Sequence, residues 1–142
     1  MKRNTFLQAA ILALALPFSL GASAQSAVAT TKVVIQVSDN DPGKWNLALN
    51  NARNVRQELG ADKAEVEIVA YGPGIGMLKA DSTTADRVTE ATKAGVTVVA
   101  CENTMKAVKL TKADMNPSIN YAPSGVVQMM KRQGEGWSYV RP

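Results

Sequence analysis

Two short segments, Lys32 to Val37 and Val96 to Ala100, are rich in valine and nearly continuous in apolar residues. A strand with one wet face alternates apolar and polar residues, so a run without that alternation reads as a strand covered on both faces, as in a parallel sheet. Parallel neighbours cannot be joined by a tight turn; each pair needs a long crossover, usually a helix. The chain supplies both kinds of element. Three further strand-like runs, Glu65 to Ala70, Ile119 to Ala122 and Trp137 to Val140, are interleaved with helical patterns. Trp45, Ala48, Leu49, Ala52, Val55 and Leu59 fall on one helical stripe, with Asp41 as N-cap, Pro42 at the first helical position and Gly60 just past the end. A second helix is expected from Thr84 to Ala94, with Ala85, Val88 and Ala91 as its stripe, Thr83 and Asp86 as a capping box and Gly95 as its stop. A third is expected from Asn103 to Val108, and a fourth, capped by Ser124, from there to Gln133 with Gly134 ending it. Strand and helix in alternation define an α/β fold: a three-layer α/β/α sandwich with a five-stranded, mostly parallel sheet, whose right-handed crossovers put helices on both faces.

The amino terminus reads differently from the rest. Lys2 and Arg3 precede an apolar stretch from Phe6 to Leu16, and Pro17 leads to Ala22-Ser23-Ala24, the pattern of a cleavable secretory leader. The apolar stretch is shorter than the roughly 20 residues that span a bilayer. The expected organisation is therefore a leader at residues 1–24, a flexible lead-in at 25–31, and one α/β domain at 32–142, located in the periplasm with no membrane attachment after cleavage. Two units of the formal net charge of +4 belong to Lys2 and Arg3. The remaining basic residues are scattered, without a basic run or interleaved aromatics, which argues against nucleic acid as a partner.

Residue usage narrows the chemistry further. There is no histidine, which removes Ser-His and Cys-His catalysis and most zinc sites. Asp39 and Asp41 do not amount to a cation site, since Asp41 is accounted for as a helix cap and no acid cluster supplies the six or more oxygens that calcium takes. Met105, Met115, Met129 and Met130 lie on apolar faces and read as core filling. No metal and no cofactor is expected. A single cysteine, Cys101, cannot form a disulfide within the chain, and in an oxidising compartment it is sheltered, paired between chains, or functional.

Cys101 falls where the third strand gives way to the third helix. The unpaired N–H groups and dipole of a helix start stabilise a thiolate there, while a small buried hydrophobe closing the strand is the alternative. Asn103 can cap that helix. Glu102 would oppose a thiolate and Lys106 would favour it. In open α/β sheets ligands bind beyond the carboxyl ends of the strands, which marks Asn40, the glycine-rich Tyr71-Gly72-Pro73-Gly74-Ile75-Gly76, Cys101, and Ser124 with Gly125 as the candidate site. The glycine-rich stretch is read either as a tight turn or as backbone able to approach an anion.

Val98-Val99-Ala100-Cys101-Glu102-Asn103-Thr104-Met105, Pro123-Ser124-Gly125-Val126-Val127, Arg132-Gln133-Gly134-Glu135-Gly136-Trp137-Ser138-Tyr139 and Tyr71-Gly72-Pro73-Gly74 together resemble the DsrE/DsrF-like family. The resemblance implies a five-stranded α/β/α domain, assembly into a homotrimer or homohexamer, and a sulfur-relay role in which Cys101 matches the position that carries sulfur as a persulfide. Tyr71, Gly72, Gly74, Asn40, Asn103, Ser124 and Gly125 would then surround the substrate. The partners implied are sulfur donor and acceptor proteins or small sulfane-sulfur compounds. Two other readings stand beside it: a non-catalytic module holding a small anion or nucleotide-like ligand between the Gly72 to Gly76 loop and the Ser124 helix start, and a structural oligomer with a buried cysteine.

Overall fold

The structure, a computed structural model, describes residues 30–142. The expected leader at residues 1–24 and residues 25–29 of the lead-in lie outside the described residues. Five strands, β1 (Thr31–Val37), β2 (Ala64–Ala70), β3 (Thr97–Cys101), β4 (Asn120–Ala122) and β5 (Ser138–Val140), form one sheet in the order β4-β3-β2-β1-β5. Every neighbouring pair is parallel. The domain begins one residue earlier than expected, because the Thr31 amide already donates to Lys63 O at 2.9 Å.

The strand order explains how the layers are filled. From β1 to β4 each crossover moves one strand in the same direction, so equal-handed connections place their helices on one face. These are α1 (Pro42–Leu59), α2 (Ala85–Lys93) and α3 (Glu102–Ala107). The last connection returns across the sheet to the opposite edge and carries α4 (Gly125–Gly134) on the other face. Alternate strand side chains divide accordingly. Val33, Ile35, Val66, Ile68, Val98 and Ala100 pack with Trp45, Leu49, Val88 and Met105 of the first three helices. Val34, Val69, Val99 and Ala122 pack with Met129 of α4 and with Trp137. The two helical layers are unequal, and among the described residues α4 is the one helix that covers its face, across β1, β2 and β3.

Local chemistry sets most element ends. Asp41 Oδ1 accepts from the amides of Gly43 and Lys44 at 2.8 and 3.3 Å, with Pro42 in the first turn, as the sequence predicts for α1. Leu59 departs from the expected stripe and is 44% exposed. The capping box between Thr83 and Asp86 does not form: Thr84 occupies the N-cap of α2, and its hydroxyl donates instead to Met77 O, tying the helix start to the preceding segment. Helix α4 runs through Gly134, and the chain turns at Gly136 with φ of 83°. Ser124 does stand at the N-cap of α4, but its side chain makes no cap bond. Met105, Met115 and Met129 are buried as expected, whereas Met130 is 65% exposed. The glycine-rich stretch is neither a tight turn nor an open loop; Gly72–Leu78 winds into a 3-10 helix.

Candidate functional site

Strand β3 delivers Cys101 to the carboxyl edge of the sheet, where α3 begins without an intervening loop. Cys101 is itself the N-cap of α3, and its sulfur accepts the Thr104 backbone N–H at 3.4 Å. This corrects the expectation that Asn103 caps the helix: Asn103 is the second helical residue, and its backbone N–H donates to Pro123 O at 3.1 Å. The Thr104 hydroxyl also reaches the sulfur, while its oxygen accepts the Gly72 N–H at 2.9 Å. From the other face of the sheet the start of α4 closes on the same residue, and the Gly125 backbone amide there also favours the thiolate.

Two opposing effects act on this thiol. Burial disfavours the thiolate, since Cys101 is only 5% exposed, but the hydrogen bonding from Thr104 and the nearby Gly125 amide outweigh it, and the Cys101 pKa lies below its ordinary value. The anticipated contest between Glu102 and Lys106 is not what decides it. Glu102 turns to Lys112, with Nζ 3.7 Å from its carboxylate.

Gly125 is close to both Cys101 and Tyr71. A Cβ at this position would lie 2.9 Å from Tyr71 Cβ and 3.2 Å from Cys101 Cβ, so only glycine lets α4 approach the thiol this closely. Tyr71 continues β2 on the same side and packs against the α4 core. Its phenol pKa is raised, by burial first and then by the neighbouring Tyr139, against the opposing pull of Arg141. At neutral pH it is a protonated donor beside the thiol. Beyond it, the Tyr139 hydroxyl donates to Gln36 Oε1, Gln36 Nε2 donates to Ser38 Oγ at 3.0 Å, and Arg141 reaches Asp39 at 3.5 Å.

The structure therefore brings Cys101, Tyr71, Gly125 and the Asn103 backbone together, with Gly72 one bond behind through Thr104. It separates the others by role. Gly74 is buried, and a Cβ there would meet Val37 O at 2.4 Å, which makes it a packing glycine. Asn40 lies in an open cleft of about 570 Å³ lined also by Gly72, Pro73, Lys79, Thr104 and Val108, a size within the range of small-ligand sites. The Gly72 and Gly74 amides donate to Thr104 Oγ1 and Tyr71 O, so neither is left to cradle an anion. Thr104 was absent from the sequence-predicted site, although a cap at Cys101 would have marked it, since N-cap side chains accept from the amide three positions on.

The DsrE/DsrF-like family matches this chain over residues 31–142. Among solved structures, a protein of unknown function from Methanobacterium thermoautotrophicum is 34% identical, with a TM-score of 0.75, over 79% of this chain and 99% of its own. A conserved protein of unknown function from Bacteroides thetaiotaomicron shares the fold at 14% identity and a TM-score of 0.60, over 78% of this chain and 94% of its own. No curated protein matches the chain.

Proposed function

The chain belongs to the DsrE/DsrF-like family, and on that premise we propose that it carries sulfane sulfur on Cys101 as a persulfide, working as a relay protein without a cofactor of its own. The observation that carries this reading is the placement of Cys101 Sγ at a helix start, where it accepts the Thr104 N–H at 3.4 Å and the start of α4 closes on it at Gly125. Such a site holds a thiolate, and it can equally hold the terminal sulfur of a persulfide anion. In loading, the Cys101 thiolate attacks a sulfane sulfur. A bond from Sγ to that sulfur forms as the donor's S–S bond breaks, and the donor departs as a thiolate with the electron pair. An acceptor thiolate reverses the exchange, so no external oxidant is consumed.

Two further parts of the proposal rest on separate features. The leader pattern at residues 1–24 supports a periplasmic site of action, and amino-terminal sequencing of the periplasmic form should begin after Ala24. Val126, Val127 and Met130 are exposed on α4, an apolar surface that supports the homotrimer or homohexamer implied by the family. Light scattering showing a monomer at micromolar concentration contradicts that assembly.

The deep burial of Cys101 favours one competing reading, a structural cysteine closing β3. Alkylation separates the two. A carrier thiol reacts with iodoacetamide in the native protein at neutral pH, whereas a structural one reacts only after unfolding.

A further inference from the structure

Glu67 is the one carboxylate among the described residues with no exposure at all, and it stands in the middle of β2 rather than at the strand end where the thiol chemistry lies. Its alternation with Glu65 and Val69 puts it on the α4 face. Both oxygens are engaged by that one helix. Gln128 Nε2 donates to Oε1 at 2.7 Å, and Arg132 donates to Oε2 through Nε at 2.9 Å and Nη2 at 2.6 Å. The Arg132 guanidinium is itself stacked 4.6 Å over the Trp137 ring and bonded to Glu135, so it is fixed from three sides.

Stability is a poor explanation for such an arrangement. A buried ion pair is often matched or bettered by apolar residues of similar volume, because desolvation offsets the attraction. What a pair of this geometry does supply is a unique register. Gly125, Gln128 and Arg132 are spaced three and four residues apart, which aligns them along one side of α4 over about 10 Å of axis. Fixing Gln128 and Arg132 on Glu67 thereby fixes the position of the Gly125 amide. At the amino-terminal end of α4 the Ser124 side chain makes no cap bond, and the tie there is Pro123 O, which accepts the Asn103 N–H at 3.1 Å; the Glu67 clamp sets the rest of the helix from the other end.

We propose that Glu67 is a positioning residue for the thiol, clamping Gln128 and Arg132 so that the first turn of α4 is held with Gly125 tight against Cys101. The inference rests on the carrier reading, and it assigns a remote carboxylate to the tuning of that thiol. Without the clamp, α4 keeps Met129 buried and its tie at Pro123, but the close approach of Gly125 to Cys101 is no longer pinned from the far end of the helix.

The test is the pH profile of iodoacetamide alkylation for the intact protein and for Glu67→Gln, with unfolding measured alongside. Glu67→Gln keeps the shape and removes the charge. The expected result is a higher alkylation midpoint, with native reactivity at neutral pH reduced by about three- to tenfold, since each unit of rise lowers the thiolate fraction up to tenfold. A midpoint unchanged in a folded but destabilised Glu67→Gln overturns the proposal and leaves Glu67 a purely structural anchor. Should that variant fail to fold, Gln128→Leu retains the ion pair and removes one arm of the clamp. A smaller rise in the same direction supports the proposal, and an unmoved midpoint overturns it. If the unsubstituted protein reacts only once unfolded, the carrier reading itself fails, whatever Glu67 does, and the positioning role falls with it.

Discussion

Thr104 donates its backbone N–H to the Cys101 sulfur at 3.4 Å, and its hydroxyl oxygen accepts the Gly72 N–H at 2.9 Å. One residue therefore links the thiol to the segment that follows β2. Thr104→Val keeps the backbone donor and removes the hydroxyl. The expected result is an alkylation midpoint above that of the unsubstituted protein, and a loss of about 1–3 kcal/mol in unfolding free energy from the stranded Gly72 donor. An unmoved midpoint would show that the hydroxyl does not act on the sulfur.

Because Cys101 is its own helix cap, serine and alanine at this position should behave differently. Serine is among the preferred N-cap residues, so Cys101→Ser is expected within about 0.5 kcal/mol of the parent, while Cys101→Ala should lose about 1 kcal/mol or more. Equal stability of the two variants in urea unfolding would contradict the capping role.

The lowered thiol pKa also has a sign that can be checked. Burial opposes the thiolate, the hydrogen bonding from Thr104 and the nearby Gly125 amide favours it more strongly, and the folded value lies below the unfolded one. The resulting stabilisation is fully present above the unfolded value of about 8.5 and is lost as pH falls through the folded value. The stability of the native protein relative to Cys101→Ser should therefore increase as pH rises from neutral toward about 8.5. A difference that stays flat or declines over that interval argues against a stabilised thiolate.

Two glycines of α4 give an internal contrast. Gly125→Ala places a methyl 2.9 Å from Tyr71 Cβ and 3.2 Å from Cys101 Cβ, and such overpacking costs about 1–3 kcal/mol. It should also raise the alkylation midpoint by pushing the helix start off the sulfur. Gly134 meets nothing within 4 Å, so Gly134→Ala is expected to stabilise by about 0.5–1 kcal/mol through helix propensity. Thermal unfolding of the two variants checks both directions; similar effects would mean that the crowding at Gly125 is relieved without cost.

The parallel sheet was legible because valine-rich runs such as Val96 to Ala100 are hard to place in any half-wet strand, and α1 was legible because Asp41, Pro42 and Gly60 punctuate it. The position of Cys101 was legible for the same kind of reason: a period change from strand to helix falls on that residue. Gly125 and Tyr71 were legible as strand-end neighbours of Cys101, but Thr104 and the close packing of Gly125 on the thiol were not, because they depend on the cap at Cys101 and on the reversal of strand order that carries α4 to the opposite face. Glu67 was hidden by its own pattern. A glutamate alternating with apolar residues reads as the wet side of a strand, and only the arrival of Arg132 and Gln128 makes that side dry. Gly134 and Ser124 misled in the reverse sense, each having a strong local preference that the packing of α4 does not use.

Sulfur uptake by the native protein tests the central claim most directly. Incubated with a polysulfide and examined as an intact protein by mass spectrometry, the folded chain should gain about 32 mass units per sulfur, lose them on reduction, and gain none as Cys101→Ser. A native protein that takes up no sulfur under these conditions, while the unfolded chain does, would contradict the carrier function and leave Cys101 as a buried structural residue.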